Sequence, residues 1–164
     1  MVPMKSSIVK AVNNAVFQTN LLLFLEYSWL TVGLDQPICR IYDRSMNKIE
    51  LGSFGEKVAE HRLKLKGYTI VERNWRSSAG EVDLIAYHEG CIIFVEVKTR
   101  TSDFFGTPED SITYRKRKKM VEVAQSYLTE KDIANSTWRI DMVAVVCDRR
   151  GKVSRFDHYE NVIT

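Results

Sequence analysis

The chain of 164 residues has the length of one domain, long enough to bury a hydrophobic core and short for two. Hydrophobic residues make up 45% of it and charged residues 27%, which argues against a disordered chain or a fibrous repeat. The net charge of +3 is compatible with a nucleic-acid partner, and three cysteines without a Cys-x-x-Cys pair argue against disulfides and zinc and favour the cytoplasm.

The first 45 residues differ in composition from the rest and are predicted to be an N-terminal extension. The segment Ala11–Leu25 is uncharged but too rich in Asn, Gln and Thr for a membrane span, and no signal-peptide cleavage site follows it. We therefore expect no membrane association. Met46 stands directly before the first helix signal and is a candidate for the natural start, so residues 46–164 are predicted to form the domain.

Hydrophobic spacing and turn residues predict the element order α-β-β-β-α-β-β in the remaining chain. Ser53 and Glu56 have the spacing of a capping box, apolar residues then recur at helical spacing, and Gly67 is expected to end this first helix. The predicted elements are a helix at 54–66, strands at 68–74, 80–87 and 91–100, a helix at 112–128, and strands at 138–147 and 152–156.

The second and third strands carry charges where a buried pair of strands would carry none. Glu96 and Lys98 lie two residues apart on the third strand, so their side chains emerge on the same face. If the two strands pair through the short turn between them, Asp83 lies beside Glu96. Adjacent carboxylates repel each other, and a cation such as Mg²⁺ between them removes that repulsion. These residues are therefore candidates for a phosphodiester-hydrolysing metal site, in which Lys98 orients a metal-bound water.

The alternative is an ordinary ion pair between Glu96 and Lys98 on a solvated face, with Asp83 closing a turn. The preceding segment Ile92-Ile93-Phe94-Val95 is apolar on both faces, as expected for a covered central strand. Because an exposed ion pair is a poor continuation of such a strand, this context favours the metal site.

Glu56 has two possible roles that these patterns do not separate. In a capping box with Ser53 it would satisfy backbone N–H groups at the helix start and need no ligand. It could equally extend from the first helix toward the two carboxylates. The spacing alone leaves both roles open.

Consecutive cations, Arg115-Lys116-Arg117-Lys118-Lys119, stand near the start of the second helix. On a helical wheel Lys116 and Arg117 fall on the side of the apolar residues, and the other three point away. Together with Arg73, Arg76 and Arg100, which lie on elements flanking the carboxylates, Lys116 and Arg117 are candidates for a groove that binds a phosphate backbone. A solvated helix face is the alternative.

Several motifs follow one another over residues 54–163: Gly55-Glu56 with Ala59, Asn74, Gly80-Glu81-Val82-Asp83-Leu84-Ile85, Phe94-Val95-Glu96-Val97-Lys98-Thr99-Arg100, Lys116 with Ala124 and Leu128, and Arg139-Ile140-Asp141. In this order they resemble the YraN-like family, bacterial proteins predicted to be endonucleases of the restriction-endonuclease-like superfamily, whose core is Asp…Glu-x-Lys. The family pattern begins near Met46, so residues 1–45 have no counterpart in it.

The resemblance implies an α/β restriction-endonuclease-like fold, a mixed β-sheet flanked by helices. It implies Asp83 and Glu96 as ligands of Mg²⁺ or Mn²⁺, Lys98 as the catalytic lysine, and Glu56 as an outer acidic residue that holds a metal-bound water or a second ion. Glu56 is thereby assigned to the site.

The resulting prediction is a metal-dependent endonuclease acting on DNA, with branched or flapped structures among the candidate substrates. The alternatives are a non-catalytic nucleic-acid-binding module and a protein-interaction subunit of a DNA repair or transformation complex. The sequence leaves open the choice between DNA and RNA and the oligomeric state, a homodimer included.

Overall fold

The computed structural model describes residues 45–101 and 114–163. The elements are α1 (Lys48–Leu65), β1 (Thr69–Ser77), β2 (Gly80–His88), β3 (Cys91–Arg100), α2 (Tyr114–Glu130), β4 (Trp138–Cys147) and β5 (Val153–Tyr159). This confirms the predicted order α-β-β-β-α-β-β. The predicted extension 1–45 lies outside the described residues except for Ser45, and so do the first two positions of the helix predicted at 112–128.

The five strands form one mixed sheet in the order β1-β2-β3-β4-β5. Neighbouring strands pair in antiparallel fashion except β3 and β4, which are parallel. Parallel neighbours need a crossover connection, and α2 lies within that connection. The mixed α/β sheet flanked by helices is therefore confirmed, and β3 is its central strand.

The start of α1 corrects one prediction. The helix begins at Lys48, with Asn47 as the N-cap: Asn47 Oδ1 accepts the Glu50 N–H at 3.0 Å, and Glu50 Oε2 accepts the Asn47 N–H at 2.9 Å. The capping box predicted at Ser53 and Glu56 is wrong, because both residues lie inside the helix and Asn47 and Glu50 supply the same chemistry six residues earlier. The capping role of Glu56 is thereby removed.

The remaining boundaries differ from the predicted ones for identifiable reasons. β1 continues past its predicted end at Asn74, because Trp75 is buried, pairs with Val82, and places its ring 5.2 Å from the Tyr127 ring of α2. Gly67 ends α1 as predicted, and its φ of 88° is a conformation that glycine adopts without strain. β5 extends to Tyr159, beyond its predicted end.

Both faces of the sheet are covered by a helix. Under α1, Phe54 and Val58 belong to one buried cluster with Val95 of β3. Under α2, Tyr127 belongs to a second cluster and places its ring 5.6 Å from that of Phe94. The residues of β3 alternate between the two clusters, as expected for a strand buried on both faces. Among the described residues, no helix is long and apolar enough to cross a membrane.

Met46 provides a test of where the folded domain begins. Its side chain is 2% exposed, and its N–H donates to the Arg149 carbonyl at 2.8 Å. A fragment 46–164 retains these contacts, and we expect it to melt within a few degrees of the full chain. In the full chain, Met46→Ala should lower the free energy of unfolding by about 2–5 kcal/mol, since it removes a buried side chain. Thermal melts of the three proteins check this, and a much less stable fragment would show that residues 1–45 contribute to the fold.

Candidate active site

Asp83 lies where β2 and β3 begin to separate. The regular pairing of the two strands reaches Leu84 and Val95, and Asp83 is the next residue toward the start of β2. Its side chain then replaces the backbone as the acceptor, because Asp83 Oδ2 accepts the Val97 N–H at 2.6 Å. This bond fixes the carboxylate of Asp83 against β3, next to Glu96.

Glu96 is a nearly buried carboxylate held by two lysines. The residue is 5% exposed, and its Oε1 atom lies 2.5 Å from Lys98 Nζ and 2.9 Å from Lys116 Nζ. Lys98 is on the same strand, two residues away, whereas Lys116 comes from the first turn of α2. A buried carboxylate needs such partners, since leaving it unpaired costs several kcal/mol. The structure thus brings Asp83, Glu96, Lys98 and Lys116 into one cluster.

The surroundings of Asp83 oppose the ionisation of its carboxyl group. Burial, the negative charge of Glu96 and that of Glu56 raise the pKa of Asp83 to about 6, while the Val97 N–H and the Lys98 ammonium oppose the shift. Lys98 therefore compensates the charge of Asp83 only in part. A further positive charge next to Asp83 would stabilise its ionised form.

Glu56 approaches the cluster from α1 because the preceding residue, Gly55, lies in close contact with β3. Gly55 is buried, and a Cβ atom at that position would overlap the side chain of Thr99, which follows Lys98 on β3. The absent side chain lets α1 lie directly against the end of β3, so that the charge of Glu56 reaches Asp83. Sequence reasoning gave Gly55 no separate role, although a glycine inside a helix costs about 0.5–1 kcal/mol and indicates a packing requirement.

Gly55→Ala tests this contact. We expect a loss of about 1–3 kcal/mol in the free energy of unfolding, because the added methyl group overpacks a tight helix–strand contact. Thr99→Gly should restore much of the loss in the double variant, since it makes room for the methyl group. Chemical denaturation of the four proteins of this cycle measures the coupling. Purely additive effects would show that the two residues do not share one contact.

Asp83 and Glu96 fit a hard divalent cation in composition. Mg²⁺ binds through one or two carboxylates and keeps several waters, and the mutual repulsion of this pair is what such an ion relieves. Within residues 45–101 and 114–163, no group of three or more His, Cys, Asp or Glu side chains is arranged to hold a metal. Glu56 therefore does not complete a three-carboxylate group with Asp83 and Glu96, and its position suits the outer role expected from the family resemblance.

The cations of α2 divide as the helical wheel predicted. Lys116 and Arg117 are partly buried, whereas Arg115, Lys118 and Lys119 are exposed. Lys116 turns inward to Glu96, and the Nε atom of Arg117 is buried without a hydrogen-bond partner in the described part of the chain. The side chain of Lys119 lies over Gly80, the first residue of β2.

The arginines predicted to flank the carboxylates have different surroundings. Arg73 pairs with Glu60 of α1, where its Nε donates to Glu60 Oε2 at 2.7 Å. Arg76 is highly exposed near the end of β1 and forms a surface ion pair with Glu81 at 3.2 Å. Arg100 ends β3 two residues after Lys98, so the two side chains leave the strand on the same side. Arg76, Arg100 and the exposed cations of α2 thus stand on elements that adjoin the cluster.

A separate charged network occupies β4 and β5. Asp141 is fully buried, and its two oxygens accept hydrogen bonds from Arg139 Nε, the Asn161 N–H and His158 Nε2, each at 2.9 Å. Burial raises the pKa of Asp141, but the bonds from His158 and Arg139 outweigh it and hold this pKa below its usual value. Arg139 also donates to the Tyr68 hydroxyl at 2.9 Å, which ties the network to the residue preceding β1.

The fold and the cluster define an α/β domain with two coupled carboxylates and two lysines at the end of its central strand. The sequence model of the uncharacterised protein family UPF0102 matches residues 55–145, and the chain belongs to this family. This confirms the predicted YraN-like resemblance.

Family members from several bacteria show the extent of the similarity. A UPF0102 protein of Alkaliphilus oremlandii is 40% identical over 116 residues, which cover 71% of this chain and 98% of the relative. One of Caldanaerobacter subterraneus is 42% identical over 102 residues, covering 62% and 84%. One of Clostridioides difficile is 46% identical over 100 residues, covering 61% and 88%. The Ca²⁺ complex of SfsA from Pyrococcus furiosus matches with a TM-score of 0.32 and 17% identity, covering 64% of this chain and 60% of that one.

Proposed function

We propose that the protein is a Mg²⁺- or Mn²⁺-dependent endonuclease that hydrolyses phosphodiester bonds in DNA. The observation that carries this proposal is the meeting of Asp83, Glu96 and Lys98 at the point where β2 and β3 separate. Burying two adjacent carboxylates costs stability, and the raised pKa of Asp83 reflects that cost. A cation site gives the arrangement a function. Titratable groups with strongly shifted pKa values that cluster in this way are typical of functional sites.

Each residue of the cluster has a separate role in the proposed reaction. Asp83 and Glu96 would hold the divalent cation, which when bound supplies Lewis acidity and an activated water. Lys98 is part-exposed at 37% of its side chain, so its ammonium can position the attacking water while remaining anchored to Glu96. Glu56 would accept a hydrogen bond from a water on the outer side of the site.

The surface around the cluster suits a phosphate backbone. The exposed cations of α2, together with Arg76 and Arg100, adjoin the carboxylates, and lysine and arginine contacts to phosphate supply much of the affinity of DNA-binding proteins. Arg117 is partly buried and would reach phosphate only from the inner side of α2. We propose a cytoplasmic location; the described cysteines, Cys91 and Cys147, are free thiols.

The test is cleavage by the purified protein in Mn²⁺. Duplex, flap, fork, four-way and single-stranded DNA are incubated with wild type and with Asp83→Asn, and matched RNA strands are included. We expect nicking by wild type, strongest on a branched or flapped substrate, and none by Asp83→Asn. Binding without cleavage by either protein would favour the alternative, a non-catalytic nucleic-acid-binding module. The absence of both binding and cleavage would favour a protein-interaction subunit.

A further inference from the structure

Lys116 differs from the other cations of α2 because its ammonium lies inside the carboxylate cluster. Its Nζ atom is 2.9 Å from the same Glu96 oxygen that Lys98 contacts, and Glu96 has only 7% of its side chain exposed. Two positive charges therefore converge on one oxygen of one carboxylate. That oxygen also belongs to the residue proposed to hold the metal.

A divalent cation at Glu96 would place three positive groups around one carboxylate. The repulsion between them is strong at such distances in a partly desolvated site, so one ammonium must withdraw. Lys98 is fixed near Glu96 by the strand, because residues two apart on a strand share a face. Lys116 belongs to a different element, and 38% of its side chain is exposed, so it can move to solvent without disturbing β3.

We propose that Lys116 is a tethered cation that holds Glu96 in the metal-free protein and transfers to a DNA phosphate when the divalent cation binds. In the metal-free state Lys116 offsets the burial of Glu96. Once displaced, its ammonium stands beside the site, where the substrate backbone approaches. Lys116 thus couples metal binding to substrate binding: it opposes the metal in the absence of DNA, and phosphate contact relieves that opposition. This inference rests on the proposed metal site and names the regulation of that site.

The first arm of the test measures metal affinity without DNA. Thermal melts are recorded over a Mn²⁺ titration for wild type, Lys116→Gln and Lys118→Gln. A ligand that binds only the folded state raises its stability, so the change of the melting midpoint with Mn²⁺ concentration reports the Kd, the half-saturating concentration. Lys118→Gln removes the same charge from the exposed side of the same helix and is the matched control. Lys116→Met keeps the aliphatic stem and guards against a loss of packing in Lys116→Gln.

Removal of the competing ammonium should lower the half-saturating Mn²⁺ concentration about tenfold in both Lys116 variants, which is the factor expected from losing roughly one like-charge contact. Lys118→Gln should stay within about twofold of wild type. Equal or weaker Mn²⁺ binding by the Lys116 variants, with normal binding by wild type, would overturn the tethered-cation role and leave the metal site intact. An absence of Mn²⁺ binding in every protein would instead overturn the metal site, and this inference with it.

The second arm measures the transfer to phosphate. Binding of a labelled duplex is followed against salt concentration in EDTA and in Ca²⁺, for wild type and Lys116→Gln, with the duplex checked for integrity afterwards. Each phosphate contact contributes about 0.9 to the slope of log K against log salt. We expect Lys116→Gln to flatten the slope by about that amount in Ca²⁺ and to leave it unchanged in EDTA. The same change in both buffers would show that Lys116 contacts DNA whether or not metal is bound, which contradicts the transfer.

Discussion

Asp83→Asn should stabilise the metal-free protein at pH 8 while abolishing cleavage. Burial and the charges of Glu96 and Glu56 raise the pKa of Asp83 from its ordinary value of 3.8 to about 6, so its ionised form is disfavoured in the folded state. Asparagine has no charge to bury, and its carbonyl oxygen can still accept the Val97 N–H. We expect a gain of roughly 1–3 kcal/mol in the free energy of unfolding, since one pKa unit corresponds to about 1.4 kcal/mol.

The pH dependence of this gain follows from the direction of the shift. Below about pH 4 Asp83 is protonated in the folded and unfolded protein alike, and the substitution should have little effect. Between pH 4 and 6 the unfolded chain releases the proton first, so wild type loses stability relative to Asp83→Asn as the pH rises. Above about pH 7, where Asp83 is ionised in both states, the difference is constant. Urea melts at pH 4, 5, 6 and 8 measure it, and a destabilised variant at pH 8 would show that the carboxylate has a structural role.

Added metal should offset the stability difference between the two proteins. Wild type gains stability with 5–10 mM Mg²⁺ or Mn²⁺, because the ion binds only the folded state; at about 100 times Kd the gain is about 2.7 kcal/mol. Asp83→Asn should gain little. Lys98→Ala should keep much of the metal-induced gain and lose cleavage, since Lys98 is assigned to the water. If wild type shows no metal-induced gain, the nuclease proposal fails.

The sequence predicted the part of the site that depends on local geometry. Alternation along β3 places Glu96 and Lys98 on one face, and a short turn returns β2 to Asp83, so both relations follow from strand periodicity. The contact between Lys116 and Glu96 does not follow from strand periodicity, because it depends on where the crossover connection places α2. The helical wheel predicted that Lys116 turns inward, but the sequence pattern predicted a contact of this residue with phosphate and not with Glu96.

The start of α1 shows why tertiary contacts override a local signal. The spacing of Ser53 and Glu56 predicts a capping box there, but the helix begins at an earlier box, Asn47 with Glu50. The earlier box is used because the added turn brings Leu51 onto the core and leads into the buried Met46. Such a choice depends on the burial of apolar side chains against distant strands, which hydrophobic spacing within the helix does not report.

Asp141→Asn should be among the most destabilising single substitutions in the described part of the chain. The carboxylate has no exposed surface, and it pairs with Arg139 and with His158, whose side chain is 1% exposed. Removing one partner of a buried ion pair leaves the other charge uncompensated, at a cost of about 3–5 kcal/mol. Because the pKa of Asp141 is lowered in the folded state, its stabilising contribution is present above about pH 4 and is lost as the pH falls below that.

Asp157→Asn is the matched control, because Asp157 pairs with Arg155 at 2.6 Å on β5, where Arg155 is exposed and Asp157 is partly exposed. An exposed pair contributes about 0–1 kcal/mol, so this variant should melt close to wild type. Urea unfolding at pH 7 compares the three proteins, and a Mn²⁺ titration follows. Asp141→Asn should retain the metal-induced gain relative to its own metal-free form, since its network lies on β4 and β5 and shares no residue with the Asp83 cluster. Similar melting of both variants would show that the Asp141 network contributes no more than a surface pair, while loss of the metal response alone would connect it to the site.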